Sequence, residues 1–138
     1  MSRVINPNRP GKERDRLKRA VALALREMMK EPEPNERTRD MAAFIALSLA
    51  AITDTVETTV TAWEKRDYWV KADRFRMDWI WADRLGEEMR EAVLAEDWGQ
   101  IAQVAAQVGQ ALGDIQVSPR HRMGTPWVDA WKHLRLSG

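Results

Sequence analysis

MAAFIALSLAAI, residues 41–52, is apolar at every position but Ser48. A helix that is apolar all round lies inside a protein, with other helices on every side. From Ile52 onward one apolar stripe remains, Ile52, Val56, Val60 and Trp63, at helical spacing, and Asp54, Glu57, Thr58 and Thr61 mark the opposite face. This is the pattern of the central helix of a small all-α domain. Pro32 and Pro34 stop whatever precedes it, and Asn35 stands where a cap belongs, so helix 2 is predicted over 36–65. Threonines at 53, 55, 58, 59 and 61 crowd its second half. Threonine is a mediocre helix former, so packing must hold this half, helped by hydroxyls that bond back one turn.

Toward the N-terminus, Leu17, Val21, Ala24 and Met28 give one apolar face to a predicted helix 1 over 12–30. Pro7, Pro10 and Gly11 make residues 1–11 an extended arm. Lys12, Arg14, Arg16, Lys18 and Arg19 fill the first turns, where positive charge opposes the macrodipole and frays the helix unless acidic groups or phosphates cover it.

Toward the C-terminus, helix 3 is predicted over 67–95 with Asp67 as N-cap. No glycine or proline marks the boundary near Arg66; a shift of about a third of a turn between the two apolar stripes does. The alternative, one helix over 36–95, is far longer than compact domains use. Ala72, Phe75, Trp79, Ala82, Gly86, Met89 and Val93 repeat at 3–4 spacing, which is a bundle seam. A second stripe, Val70, Met77, Trp81, Leu85 and Ala92, lies about 120° away. Trp79 and Trp81 should point in nearly opposite directions, so either two sides of helix 3 are covered within the monomer or the second meets another chain. Asp97 caps helix 4, predicted over 98–114 with Ile101, Val104, Val108, Leu112 and Ile115 inward. The small residues Ala105, Gly109 and Gly113 suggest a close helix approach at Gly109. Thr125 and Pro126 start a short helix over 126–134. The expected fold is an all-α, up-and-down four-helix bundle with a short C-terminal helix: arm 1–11, bundle 12–117, basic tail 118–138.

At 138 residues the chain suits one domain and buries roughly two-thirds of its unfolded surface. It has no cysteine, which excludes disulfides and thiolate metal sites. Residues 1–11 lack the apolar core of a signal peptide. The longest apolar run, Met41–Ala51, falls short of the roughly 20 residues of a membrane span, so no membrane partner and a cytoplasmic location are expected. The net charge of +1 hides a sorting: +5 over residues 3–19, −7 over 20–117 and +3 over 118–138. Basic ends on an acidic body favour arms that lie on the body, or on a neighbouring subunit, over nucleic-acid contact.

The usual catalytic constellations are missing: no cysteine nucleophile, no His pair at i and i+4, no phosphate loop, no dinucleotide fingerprint. His121 and His133 sit in the tail. Three weaker groupings remain. Asp54 with Glu57, and Asp83 with Glu87, are carboxylate pairs one turn apart that could hold Mg²⁺ between facing helices. Asp54–Glu57 resembles half of the pattern with which some all-α nucleotide pyrophosphohydrolases do this; the second half is not matched, and the chain is not assigned to them. Lys71 and Arg74, with Asp78, share a wedge between the two stripes of helix 3. They read as an intrahelical ion pair or as an anion site with Trp69 or Trp81 as a stacking wall. The third grouping is tryptophan, seven in this length. Trp81 and Leu85 on helix 3, and Trp127, Trp131 and Leu134 at i, i+4 and i+7, have the character of interface anchors, the last three for a groove on the same chain first, on a twin subunit next, or on a different protein. The leading expectation is a non-enzymatic interaction module that self-associates as a homodimer through these residues, without a cofactor, a different protein being the other candidate partner. The alternatives are a Mg²⁺-dependent nucleotide or anion binder, and a nucleic-acid accessory protein using Arg14, Arg16, Lys18, Arg19, Arg120 and Arg122.

Overall fold

A computed structural model describes residues 9–113 and 115–137. Its elements are α1 (Arg9–Met29), α2 (Glu36–Glu64), α3 (Trp69–Leu94), α4 (Trp98–Leu112) and α5 (Ala130–Leu136). Four long helices pack as a bundle and the fifth is the short C-terminal one, as the periodicity predicts. The first begins earlier than expected: Arg9, Pro10 and Gly11 form its first turn, where proline's missing N–H costs no intrahelical bond. Residues 1–8 of the expected arm lie outside the described residues.

Helix α2 is the core. It packs against α1, α3 and α5, and Met41, Ala42, Ala43, Ile45, Leu49 and Ile52 are buried. Its length and composition would suit a membrane span, but 56% of its most apolar window is buried inside the bundle. Asn35 caps it in a reciprocal box: Asn35 Oδ1 accepts from the Thr38 amide at 2.9 Å, and Thr38 Oγ1 accepts from the Asn35 amide at 2.8 Å. The threonines bond back as predicted, Thr53 to the Leu49 carbonyl, Thr55 to Ile52 and Thr58 to Asp54.

The break after α2 is real, and its chemistry explains why no glycine announced it. Asp67 is not an N-cap. It sits in the left-handed region at φ 62°. Its amide donates to the Glu64 carbonyl and the Tyr68 amide to the Trp63 carbonyl, which closes a Schellman turn. The α3–α4 turn repeats the device with Glu96 at φ 51°, its amide on Val93 and the Asp97 amide on Ala92. Asp97 then caps α4, accepting from the Gln100 amide. Gly86 lets α3 lie close on α2: a Cβ there would lie 3.1 Å from Leu49 Cβ. Gly109 has no such duty, because a Cβ there meets nothing within 4 Å.

Helix α4 has 15 residues against 29 in α2, about 22 Å against about 43 Å. Counting outward from the α3–α4 turn, its last residue, Leu112, is level with Ile80. Above that level α4 closes the bundle; below it only α1, α2 and α3 continue. After Gly113 the chain returns along α1, where Arg26 donates to the Val117 carbonyl at 3.1 Å, and buries Trp127. Asp129, at φ 65°, interrupts the predicted 126–134 helix, so α5 starts at Ala130.

Candidate functional site

The short fourth helix decides which predicted site residues remain at the surface. Ala92 and Leu85 share a buried cluster with Ile101, Val104 and Val108 of α4. Trp81, level with the last turn of α4, is half-buried, and its ring stacks on Trp79 at 5.7 Å. The two rings therefore lie together on one side, contrary to expectation. Val70 and Met77 fall below the end of α4 and stay exposed. One stripe of sequence is therefore covered in its upper half and bare in its lower half.

The C-terminal helix docks on its own chain. Trp127 and Leu134 are buried. The Trp131 amide donates to Asp40 Oδ1 at 3.0 Å, and the guanidiniums of Arg39 and Arg135 lie 3.7 and 3.9 Å from its ring centroid. Arg90 donates to the Leu134 carbonyl. Of the five residues expected at an interface, Leu85, Trp127 and Leu134 are consumed inside the fold, and only parts of Trp81 and Trp131 reach solvent.

What faces solvent instead is a second heptad-like seam on α3: Val70, Asp73, Met77, Ile80 and Arg84, at 3–4–3–4 spacing. Val70, Met77 and Ile80 are 73, 74 and 64% exposed. Trp69 and Tyr68, also exposed, continue the apolar surface at the start of the helix. Ile80 was absent from the expected interface; the signal was present, because Ile80 continues the 70–73–77 spacing.

The carboxylate pairs do not converge. Asp54 and Glu57 are exposed, and Glu57 faces Arg76 at 3.7 Å. Asp83 and Glu87 border a recess with Ala46 and Ala50, about one to two turns farther up α2. Among the described residues no group of three or more histidine or acidic side chains could hold a metal ion. The Mg²⁺ reading thus loses its ligand set. Lys71, Arg74 and Asp78 do line one open recess of about 460 Å³, with Trp63 and Phe75 as its walls rather than Trp69 or Trp81. Lys71 Nζ lies 4.4 Å from the Trp63 ring. A larger cleft, about 980 Å³, opens between the α1–α2 connection and the tail. Three of its acids have partners, Glu27 with Lys30, Glu31 with Arg37 and Asp40 with the Trp131 amide, and the fourth, Glu36, is exposed in the first turn of α2.

The basic residues divide as well. Arg16 pairs with Glu13, which holds the Glu13 carboxyl below its usual range. Lys18 lies 3.5 Å from Asp15 and 5.6 Å from the Trp79 ring. Arg19, Arg120 and Arg122 are exposed. Arg120 and Arg122 follow Val117, which is held at Arg26, so they do not join the start of α1 in one patch.

Arg14 is buried, which the sequence reading missed. It continues the apolar face of α1 one turn before Leu17, and its head crosses the bundle floor. Nε donates to Thr55 Oγ1 at 3.1 Å, and Nη2 donates to the Thr55 carbonyl at 3.2 Å and to Thr59 Oγ1 at 2.9 Å. The Thr55 hydroxyl donates its own hydrogen bond to the Ile52 carbonyl, which leaves its oxygen lone pairs to accept. The guanidinium carbon lies 4.9 Å from the Phe75 ring and 5.7 Å from that of Trp79. Burial pulls its pKa below the ordinary guanidinium value. Comparison with protein families, curated proteins and solved structures finds no match to this chain.

Proposed function

We propose that this chain is a non-enzymatic helical interaction module that works as a homodimer, joined through the outward seam of α3. The observation that carries this reading is that the seam is self-complementary. In two antiparallel copies of α3, a two-fold axis midway between Asp78 and Trp79 sets Met77 against Ile80 of the partner subunit, and Asp73 against Arg84 of the partner subunit. The apolar layer therefore occurs twice, with an opposite-charge layer on each side of the pair. An isologous interface requires this relation: each residue's counterpart must lie on the same surface patch. Asp73 and Arg84 are exposed, at 68 and 57% of their side chains, and each would exchange its partner on α3, Arg76 for Asp73 and Glu88 for Arg84, for the charge of the other copy. The apolar residues are those left bare by the short α4.

A few layers of two helices bury less than the roughly 1,200–2,000 Å² of a standard interface, so the dimer is weak and concentration-dependent. Sedimentation equilibrium from micromolar to millimolar protein tests it. The expected result is a reversible monomer–dimer equilibrium, weakened at least about tenfold by Met77→Glu or Ile80→Glu with the circular dichroism unchanged. Asp73→Arg and Arg84→Asp should each weaken it, and the double exchange should restore it. A monomer throughout, or a dimer indifferent to all four variants, rules out this interface.

A further inference from the structure

We propose that the end of the bundle closed by the α2–α3 turn is a peripheral docking surface for an anionic lipid bilayer. The aromatic residues divide sharply along the molecule. Of the seven tryptophans, Trp127 is in the buried core, and Trp63, Trp79, Trp81, Trp98 and Trp131 pack against it. Trp69 does neither and is 55% exposed. The single tyrosine of the chain, Tyr68, stands next to it at 51%, and Val70 follows at 73%. With Asp67 and Lys71 these three are neighbours on one open surface. An exposed apolar patch bounded by polar residues marks a contact surface.

The charges around this patch are predominantly positive. Helix α1 begins where α2 ends, since Arg14 reaches Thr59 and the Phe75 ring. The segments that form this end, 9–12 and 65–71, carry Arg9, Lys12, Lys65, Arg66 and Lys71 against one acid, Asp67. All six are exposed. The neighbouring acids are engaged elsewhere: Glu64 and Asp73 face Arg76, and Glu13 faces Arg16. Among the described residues no carboxylate lies within ion-pair distance of the five cations. Tryptophan and tyrosine join an apolar body to a polar tip, and such side chains settle at the headgroup level of a bilayer. Lysine and arginine beside them meet the negative surface potential of anionic lipids, their stems along the apolar layer and their heads among the phosphates. The shape favours lipid over the other anionic partner, nucleic acid. A turn between two helices is a projecting end, which a deformable layer can receive, whereas a nucleic-acid strand needs a groove that tracks its backbone. Contact of this kind needs no spanning helix, because the tip enters the headgroup layer and the bundle stays in water. Trp69 and Val70 lie beyond Asp73, the outermost layer of the proposed dimer, and antiparallel pairing sets the two tips at opposite ends, so the two surfaces are separate.

Flotation of the full chain with large unilamellar vesicles tests this, comparing phosphatidylcholine alone with phosphatidylcholine containing about one-fifth phosphatidylserine. The expected result is binding to the anionic vesicles only, weakened as salt is raised above physiological strength. Trp69→Ala should weaken it at least about tenfold with the circular dichroism unchanged, because this side chain supports no core packing. Each lysine or arginine at an anionic surface contributes roughly fivefold, so Lys65→Gln with Arg66→Gln should cost about 25-fold. Arg120→Gln with Arg122→Gln, in the basic tail, should change nothing; a loss as large as at the turn would mean that net charge alone drives binding and would overturn the surface. Ile80→Glu, which breaks the dimer, should bind vesicles as the unaltered chain does. Equal binding to both vesicles, binding to neither, or binding that survives Trp69→Ala also overturns it. A single-stranded oligonucleotide bound more tightly than the anionic vesicles, and through Trp69, would assign this end to nucleic acid instead. Because sedimentation reads the seam and flotation reads this end, either proposal can fail alone.

Discussion

Two glycines in the helices carry opposite meanings. Gly86 lies on the α3 seam, and a Cβ there would come within 3.1 Å of Leu49 Cβ. Leu49 is a branched, fully buried side chain with no free space to yield. Gly86→Ala should therefore push α2 and α3 apart and cost about 1–3 kcal/mol. Gly109 is helical, has no positive φ, and has empty space where its Cβ would be. Gly109→Ala should add about 0.5–1 kcal/mol by removing the entropy cost of glycine in a helix. Urea unfolding reads both, and the same sign for the two would contradict the packing described. The sequence alone pointed to Gly109 as the packed glycine, because a ridge of small residues looks alike whether or not a neighbour fills it. Arg14 shows the same limit. Its place at 14–17–21–24–28 was readable as the apolar face, but its charge suggested solvent. Only the threonines of α2 and the ring of Phe75, brought together by the fold, make burial tolerable.

At the scale of elements, the helices were legible because each is long and periodic, and their caps were partly so. Asn35 and Asp97 cap as their residue types suggest. Asp67 does not, because the turn needs a left-handed residue there more than it needs an N-cap. Aspartate tolerates that conformation better than most residues, at a cost glycine avoids. Asp67→Gly should then stabilise the α2–α3 hairpin by about 0.5–1 kcal/mol, the relief of strain less the larger unfolded-state entropy of glycine. Glu96 occupies the equivalent position but also pairs with Arg39 at 3.1 Å. Its exchange for glycine should gain less. Differential scanning calorimetry of the two variants checks the ranking; a larger gain at 96 than at 67 would mean the Arg39 pair is worth less than the extra strain of a left-handed glutamate over an aspartate. The start of α5 was misread for a related reason. Thr125 and Pro126 are good helix starters, yet Asp129 turns left-handed, and Trp127 enters the core from a turn instead.

At the scale of the whole molecule, periodicity could say that α3 has two apolar sides but not what covers the second. That answer depends on how far α4 extends and where the tail returns, both long-range facts. The tail follows from the same geometry: it passes α1 and lays α5 on α2 and α3. Trp127, Ala130 and Leu134 belong to the single buried cluster. A chain ending at Val117 would therefore not be a trimmed module with an intact core. Burying Trp127 and Leu134 is worth about 1.5–3 kcal/mol each, so truncation should cost about 4 kcal/mol. For a domain this size that lowers Tm by about 12–20 °C. It should also uncover the apolar α2 surface under α5, seen as increased binding of a hydrophobic dye. The outward seam of α3 does not include the tail, so any dimerisation through Met77 and Ile80 should persist in whatever fraction stays folded. A truncated chain with unchanged Tm would show that the tail only rests on the bundle. Loss of the dimer at temperatures where the truncated chain remains folded would instead place α5 in the interface and move the two-fold axis away from α3.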